Sequence, residues 1–229
     1  MKNFLEKNLE YNLGDIMNKL MGFLELKDMR LPSIQWKQYT GNEVLSNNFL
    51  WTIRSAVYFG NDLNLPRCVG KNAEEAKKFA DDLLKELRDI GMVIYYPYFV
   101  ANKSGTLEVR NERLIIEAVE KDLWNLVTYS DREVTIIIDY ENNVTINGNS
   151  NFLSCEEQKQ LCDQVPEIRK IFRGDLMQGR SVLLEWSYAY SCDNNKRPIG
   201  KEYLVFYDIR TVKKKKNNTT SPLCKYTTM

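Results

Sequence analysis

The sequence contains no histidine among its 229 residues. This absence excludes several kinds of site within the chain: a Ser-His-Asp triad, a Cys-His pair, a zinc centre with histidine ligands and a phosphohistidine carrier. Any chemistry must therefore use carboxylates, lysine, arginine, tyrosine, cysteine or a bound metal.

Other features are scarce as well. No apolar run reaches the ~18–20 residues that span a bilayer, and charges interrupt the Met1–Lys7 segment too early for the apolar core of a signal peptide. The five cysteines show no CxxC or zinc-type spacing, and the formal charge is only +1. We therefore expect a cytoplasmic protein with reduced thiols and with neither a nucleic-acid nor a membrane partner.

The apolar pattern predicts an α+β fold with a mainly antiparallel sheet and flanking helices. It indicates helices within residues 4–28, a strand over Asn48–Phe59 and a helix from Ala73 to about Ile90, capped by Asn72 and Gly91. Further predicted strands are 92–101, 106–109, 114–119, 123–128, 134–139, 144–146, 182–189 and 203–212, with a Ser154-capped helix reaching about Phe172. Lys103–Thr106 is typical of a hairpin turn, and Lys213–Met229 of a basic disordered tail.

Five charged residues follow or interrupt apolar stretches that are far apart in the chain. They are Lys19, Arg54, Glu185, Asp208 and Arg210. Asp208 and Arg210 are two residues apart on one predicted strand, so both face the same side. Cations and carboxylates that converge from separate strands are what a polyphosphate with a bound metal requires. A nucleotide site is therefore the leading hypothesis.

Several candidate site residues also have a purely structural interpretation. Lys19 is also compatible with a solvated helix surface, and Arg54 with a structural ion pair. Glu185 is either an ion-pair partner of an arginine or a Mg²⁺ ligand, and Glu117 has the same two interpretations. Tyr96 belongs to an aromatic run that is compatible with the wall of an adenine pocket or with a core strand.

In their order along the chain, these segments resemble the N-terminal nucleotide-binding region of phosphoenolpyruvate synthase and pyruvate phosphate dikinase. Lys19 followed by Leu31-Pro32 is similar to that family's GGKG…LP segment, and Thr52–Ala56 to its VRSSA. Leu184–Trp186 and Tyr207–Thr211 are similar to its closing IEW…LQARP pair. The resemblance covers about residues 14–212.

The resemblance implies a two-lobed ATP-grasp-like domain over residues 1–212, with a helical part at about 1–32, that binds ATP and Mg²⁺. It places Arg54 and Arg210 in catalysis and on phosphate oxygens, with Lys19, Tyr96 and Glu117 as further nucleotide-binding residues. Glu185 and Asp208 would hold the metal. The phosphoryl acceptor would lie outside this chain, either on a separate histidine-carrying protein or on a small molecule.

Two departures from the family pattern leave other functions open. Met17-Asn18-Lys19-Leu20 replaces the glycine-rich GGKG, and Asp208 replaces the family's glutamine. The alternatives are a domain that binds nucleotide or a partner protein without turnover, and a scaffold whose charged residues pair internally.

Overall fold

The computed structural model describes residues 19–59, 65–123 and 132–213. Its helices are α1 (Lys19–Asp28), α2 (Ala73–Leu87), α3 (Cys155–Cys162), α4 (Val165–Ile171) and α5 (Arg173–Met177). Its strands are β1 (Lys37–Tyr39), β2 (Trp51–Val57), β3 (Arg67–Lys71), β4 (Gly91–Pro97), β5 (Phe99–Val109), β6 (Arg113–Glu120), β7 (Val134–Asp139), β8 (Val144–Gly148), β9 (Arg180–Cys192) and β10 (Pro198–Lys213).

The small sheet has four antiparallel strands in the order β1-β4-β2-β3. Helix α2 covers one of its faces and forms because Asn72 caps it: the Asn72 side chain accepts a hydrogen bond from the backbone N–H of Glu75. Its apolar stripe packs against Ile53 and Trp51 of β2. Because side chains alternate along a strand, Arg54 lies on the opposite face of β2, the one that does not contact α2.

The large sheet has six antiparallel strands in the order β10-β9-β5-β6-β7-β8. One face forms the main core, with Leu107, Ile116 and Leu184 fully buried against residues of α3, α4 and α5. Side chains alternate between faces along a strand, so the residues next to these three in sequence lie on the opposite face. That opposite face carries the charged residues described below.

Helix α1 lies directly on β10, and Gly22 makes this approach possible. A Cβ atom at Gly22 would lie 2.3 Å from the carbonyl oxygen of Ile209, a distance no side chain tolerates. The same helix buries Phe23 and Leu26. Lys19, at its first position, is thereby held beside the β9–β10 pair.

The predicted α+β class with mainly antiparallel sheets is confirmed. The Asn72 and Ser154 helix caps are confirmed too, and so are the β7–β8 hairpin and the closing β9–β10 pair. Strands β1 and β3 were not predicted, since both are short and largely exposed.

Two predicted boundaries were wrong. Helix α2 ends at Leu87, and Gly91 is not its cap but the first residue of β4, where a Cβ would lie 2.4 Å from the carbonyl oxygen of Ala56. The predicted strand 92–101 is two strands in different sheets, divided at Tyr98, whose N–H donates to the carbonyl of Leu50 instead of continuing a ladder.

The predicted turn at Lys103–Thr106 is the middle of β5. Gly105 is present there because a Cβ would lie 2.0 Å from the carbonyl oxygen of Glu117 and 2.4 Å from the Trp186 ring. The glycine thus serves close packing within the sheet and not a turn.

Residues 1–18, most of the predicted 123–128 strand and most of the Lys213–Met229 tail lie outside the described residues. Lys213 itself ends β10. None of the helices in the described part of the chain has the length and apolarity that a membrane span needs.

Candidate functional site

Two carboxylates face each other on adjacent strands of the large sheet. Asp208 of β10 is directly opposite Glu185 of β9 in the antiparallel register. Both side chains are shielded, with exposures of 6% for Asp208 and 18% for Glu185. They lie on the face away from the main core, since their neighbours Ile209, Leu184 and Trp186 belong to that core.

A β-bulge at Tyr207 produces this arrangement. Phe206 pairs with Trp186 and Asp208 pairs with Glu185, so Tyr207 is an extra residue in β10. The insertion shifts the alternation by one position. Phe206 and Ile209 therefore both point into the core, while Asp208 points to the opposite face.

Arg54 reaches this site from the small sheet. Its Nη2 atom lies 3.6 Å from Oδ2 of Asp208, and its guanidinium group lies 5.0 Å from the centre of the Phe23 ring. The guanidinium also hydrogen-bonds the hydroxyl of Tyr96, which is buried beside it. An arginine that is only 10% exposed is thus held by a carboxylate, a phenol and an aromatic ring.

Arg210 and Lys19 complete the cationic surroundings. Arg210 Nη2 lies 3.6 Å from Oε1 of Glu185, and the Arg210 side chain is 40% exposed, so solvent reaches the site on this side. Lys19 is close enough for its charge to act on Glu185. Three cations therefore surround the two carboxylates.

The electrostatics of the site are dominated by burial. Desolvation by burial, together with the smaller effect of the negative charge of Asp208, raises the pKa of Glu185 to about 7. Arg210, Arg54 and Lys19 act in the opposite direction on this pKa and do not cancel the effect. A bound cation would favour the ionised form of both carboxylates and so oppose this rise in the pKa of Glu185.

The donor set fits a hard divalent cation. Glu185 and Asp208 supply carboxylate oxygens, the ligands that Mg²⁺ prefers, and Mg²⁺ is usually held by only one or two carboxylates together with water and phosphate oxygens. Among residues 19–59, 65–123 and 132–213, no group of three or more Asp, Glu or Cys residues forms a metal cage. These residues therefore fit a cation that is shared with a phosphate ligand.

Glu117 lies on the same face but further along the sheet. Thr106 of β5 is directly opposite both Glu117 of β6 and Glu185 of β9, so the three form one row with Asp208. Glu117 forms an ion pair with Arg132 and accepts a hydrogen bond of 3.4 Å from the Thr106 hydroxyl. The structure thus places Glu117 two strands away from Glu185.

Sequence reasoning did not identify three residues near the site. Tyr207 interacts with Ser187 through its hydroxyl, and burial raises its pKa well above the usual value. Thr106 is 7% exposed and separates the two glutamates. Arg67 is directly opposite Arg54 on β3. The aromatic residue directly before Asp208 was a signal in the sequence that could have identified Tyr207. Nothing in the sequence indicated that β3 pairs with β2, so no signal could have identified Arg67.

No family model matches this chain, and no curated protein matches it. Among solved structures it is similar to a dinucleotide-forming acetyl-coenzyme A synthetase 1 from Ca. Korarchaeum cryptofilum in complex with coenzyme A, Ca-AMPCP and HgCl+. That similarity has a TM-score of 0.44 and 8% identity over 93% of this chain and 99% of that chain.

A structure of ACD1 from the same organism in complex with coenzyme A gives a TM-score of 0.45 and 10% identity over 92% of this chain and 98% of that one. D-alanyl-alanine synthetase A from Vibrio cholerae O1 biovar eltor gives a TM-score of 0.48 and 6% identity over 84% of this chain and 54% of that one. All three TM-scores lie below 0.5, so no function passes from these structures to this chain.

Proposed function

We propose that this chain is an ATP-grasp-like nucleotide-binding domain that binds ATP with Mg²⁺ between its two sheets. The observation that carries the proposal is the pairing of Glu185 and Asp208 on adjacent strands, surrounded by Lys19, Arg54 and Arg210. The order of the Lys19, Arg54, Glu185 and Asp208 segments, which resembles the phosphoenolpyruvate synthase family, supports the same function.

The roles follow from the chemistry of each side chain. Arg54 and Arg210 contribute planar guanidinium groups that bind phosphate oxygens in a bidentate way, and Lys19 contributes a mobile point charge. Glu185 and Asp208 hold Mg²⁺, which supplies neutralisation of phosphate charge when it is bound. Catalysis, where present, rests on positioning and electrostatic stabilisation, because the chain has no histidine to act as base or carrier.

The reaction that this site supports is phosphoryl transfer from ATP to an acceptor outside the chain. The acceptor is either a small molecule or a histidine on a separate protein. A cytoplasmic location, in keeping with thiols that are free in the described residues, belongs to the same proposal.

The same contacts favour a second function. The Arg54–Asp208 and Arg210–Glu185 distances of 3.6 Å are those of internal ion pairs, as expected for a scaffold or for a domain that binds without turnover. Both distances are longer than the charge-assisted hydrogen bonds that strong pairs form.

A thermal-shift titration with ATP distinguishes these functions. At 100 times its dissociation constant, a ligand stabilises the folded state by roughly 2.7 kcal/mol, which raises the melting temperature by a few degrees. We expect Glu185→Gln and Asp208→Asn to reduce this shift more with Mg²⁺ present than with EDTA.

The matched control is Asp175→Asn, which removes a carboxylate paired with Arg180 at 2.8 Å, outside the proposed site. This variant should keep the full ATP-induced shift. An identical response to both site variants with and without Mg²⁺ would show that the carboxylates are structural. Absence of any shift in the unmodified chain would favour the scaffold.

A further inference from the structure

We propose that strand β8 (Val144–Gly148) is a self-association edge, at which the large sheets of two copies of this chain join by antiparallel β8–β8 pairing. The partner of this edge is therefore a second copy of the chain. The inference does not depend on the proposed function, because Glu185 and Asp208 lie on β9 and β10, at the other end of the strand order.

Strand β8 is the outermost strand of the large sheet. It is the last in the order β10-β9-β5-β6-β7-β8, and within the described ranges it pairs with β7 alone. All five of its residues are exposed. An edge strand of this kind presents unpaired backbone groups that another strand can use.

The hydrogen-bonding pattern shows which residues carry these groups. The N–H of Asp139 in β7 donates to the carbonyl of Asn143, so the ladder begins with a hydrogen-bonded pair. Hydrogen-bonded pairs alternate with non-hydrogen-bonded ones along an antiparallel ladder, so Thr145 again faces β7. Val144 and Ile146 therefore direct their N–H and C=O groups away from β7. A partner strand can satisfy these four groups.

The side chains of β8 continue the apolar face of the main core. The register places Ile146 beside Ile136 of β7, which lies beside Ile116 of β6. Ile116 and Ile136 are 0% and 1% exposed, whereas Ile146 is 39% exposed. In the next row, Val144 lies beside the partly buried Ile138 and is 56% exposed. The two apolar rows thus end in half-exposed side chains, which another apolar strand would bury.

Strand β8 also lacks the features that keep edge strands apart. Its sequence, Val-Thr-Ile-Asn-Gly, has no charged residue and no proline. The edges of the small sheet differ, since β1 begins with Lys37 and β3 has Arg67 and Lys71 at its ends. The outer edge of β10 is occupied at Phe206, whose N–H donates to the carbonyl of Pro32. Among the sheet edges of the described residues, β8 is thus both uncharged and open.

A second copy fits this edge because β8 is complementary to itself. A two-fold axis at Thr145 places Val144 of each copy opposite Ile146 of the other, and each such pair exchanges two backbone hydrogen bonds. These pairs use every outward N–H and C=O group of the two residues and bring β-branched side chains together. Asn143 is then opposite Asn147 of the other copy, so no like charges meet.

The first test measures the mass of the full chain by sedimentation equilibrium from micromolar to millimolar concentration. Pairing of two five-residue strands is a small contact, so we expect the mass to rise with concentration from 26.9 kDa towards twice that value. Ile146→Lys should hold the mass at 26.9 kDa, because a lysine on an edge strand opposes pairing. Ile199→Lys is the matched control: it makes the same change at an exposed isoleucine of β10 and should leave association unchanged.

The second test reads the register and leaves Ile146 intact. Thr145 would lie on the two-fold axis in a non-hydrogen-bonded pair, with Cα atoms about 4.5 Å apart, which is within disulfide range. Thr145→Cys should therefore give a disulfide-linked dimer on oxidation with copper phenanthroline. Asn147→Cys is the matched control, because it lies on the same face of β8 but about 13 Å along the strand from its own counterpart. The unmodified chain gives the background from its five cysteines.

Concentration-dependent dimerisation that Ile146→Lys abolishes, together with cross-linking of Thr145→Cys above that of Asn147→Cys, supports the inference. A mass that stays at 26.9 kDa at every concentration overturns it, and so does a dimer that persists in Ile146→Lys. Equal cross-linking of the two cysteine variants overturns it as well. Should Ile146→Lys fail to fold, the two cysteine variants decide the question. Neither test uses a nucleotide, so the proposed function stands or falls separately.

Discussion

Arg54 Nη2 lies 3.6 Å from Asp208 Oδ2, and this ion pair crosses from the small sheet to the large one. The side chains are only 10% and 6% exposed. Removal of water from a charged pair costs free energy that the mutual attraction must repay. The contact links the two sheets, and loss of one partner would leave the other charge buried without compensation.

We expect Arg54→Met to lower the free energy of unfolding by about 3–5 kcal/mol, because it leaves Asp208 buried without its cation. Arg54→Met combined with Asp208→Leu should recover much of this loss, since neither charge remains. Urea denaturation of the two single variants and the double variant measures the coupling. Arg180→Met, which breaks the more exposed pair with Asp175, should cost about 1 kcal/mol or less. Strict additivity of the single changes would contradict a coupled pair.

The pKa of Glu185, about 7 in the folded protein against 4.5 as its ordinary value, gives a pH dependence with a defined sign. A raised pKa means that the folded state holds the proton more tightly, so this contribution to stability is complete below pH 4.5 and lost as pH rises to about 7. The difference corresponds to roughly 3 kcal/mol.

The side chain of the Glu185→Gln variant cannot titrate, so this variant should not lose that contribution to stability as the pH rises. Denaturation in EDTA between pH 4.5 and 8 should show the stability of the unmodified chain falling relative to that of the variant as pH rises. Parallel curves for the two proteins would show that Glu185 is not held in its neutral form.

The contact between α1 and β10 gives a third prediction. Gly22→Ala places a methyl group against the carbonyl of Ile209, so we expect a loss of about 1–3 kcal/mol from overpacking. Gly174→Ala in α5 is the matched control, because no atom lies within 4 Å of its Cβ position. That variant should be neutral or slightly stabilising. Equal melting temperatures for the two variants would be inconsistent with this placement of α1.

The absence of histidine gives a fourth prediction, on catalysis. The isolated chain with ATP and Mg²⁺ should form no phosphohistidine and should hydrolyse ATP slowly at most. Turnover, measured as phosphate transfer from labelled ATP, should rise only when a small-molecule acceptor or a separate histidine-bearing protein is supplied. ATP binding with no acceptor-stimulated turnover would identify a non-catalytic binding domain.

Local patterns predicted a large part of the fold. Capping by Asn72 and Ser154, the periodicity of α2 and the β-favouring runs of β2, β9 and β10 depend on residues close in sequence. The division of residues 92–101 between two sheets was not predictable in this way. It depends on the hydrogen bond from Tyr98 to Leu50, which lie 48 positions apart in the chain.

The candidate site, too, has features that depend on local sequence and features that depend on distant contacts. The sequence alone determined that any chemistry lacks histidine, and that Arg54, Glu185, Asp208 and Arg210 occupy or adjoin β-favouring stretches. Only the tertiary structure decided which of them meet. The Tyr207 bulge turns Asp208 towards Glu185, and the pairing of β3 brings Arg67 beside Arg54. Side-chain direction follows from local alternation, but the register between strands depends on contacts across the whole sheet, which a single strand does not encode.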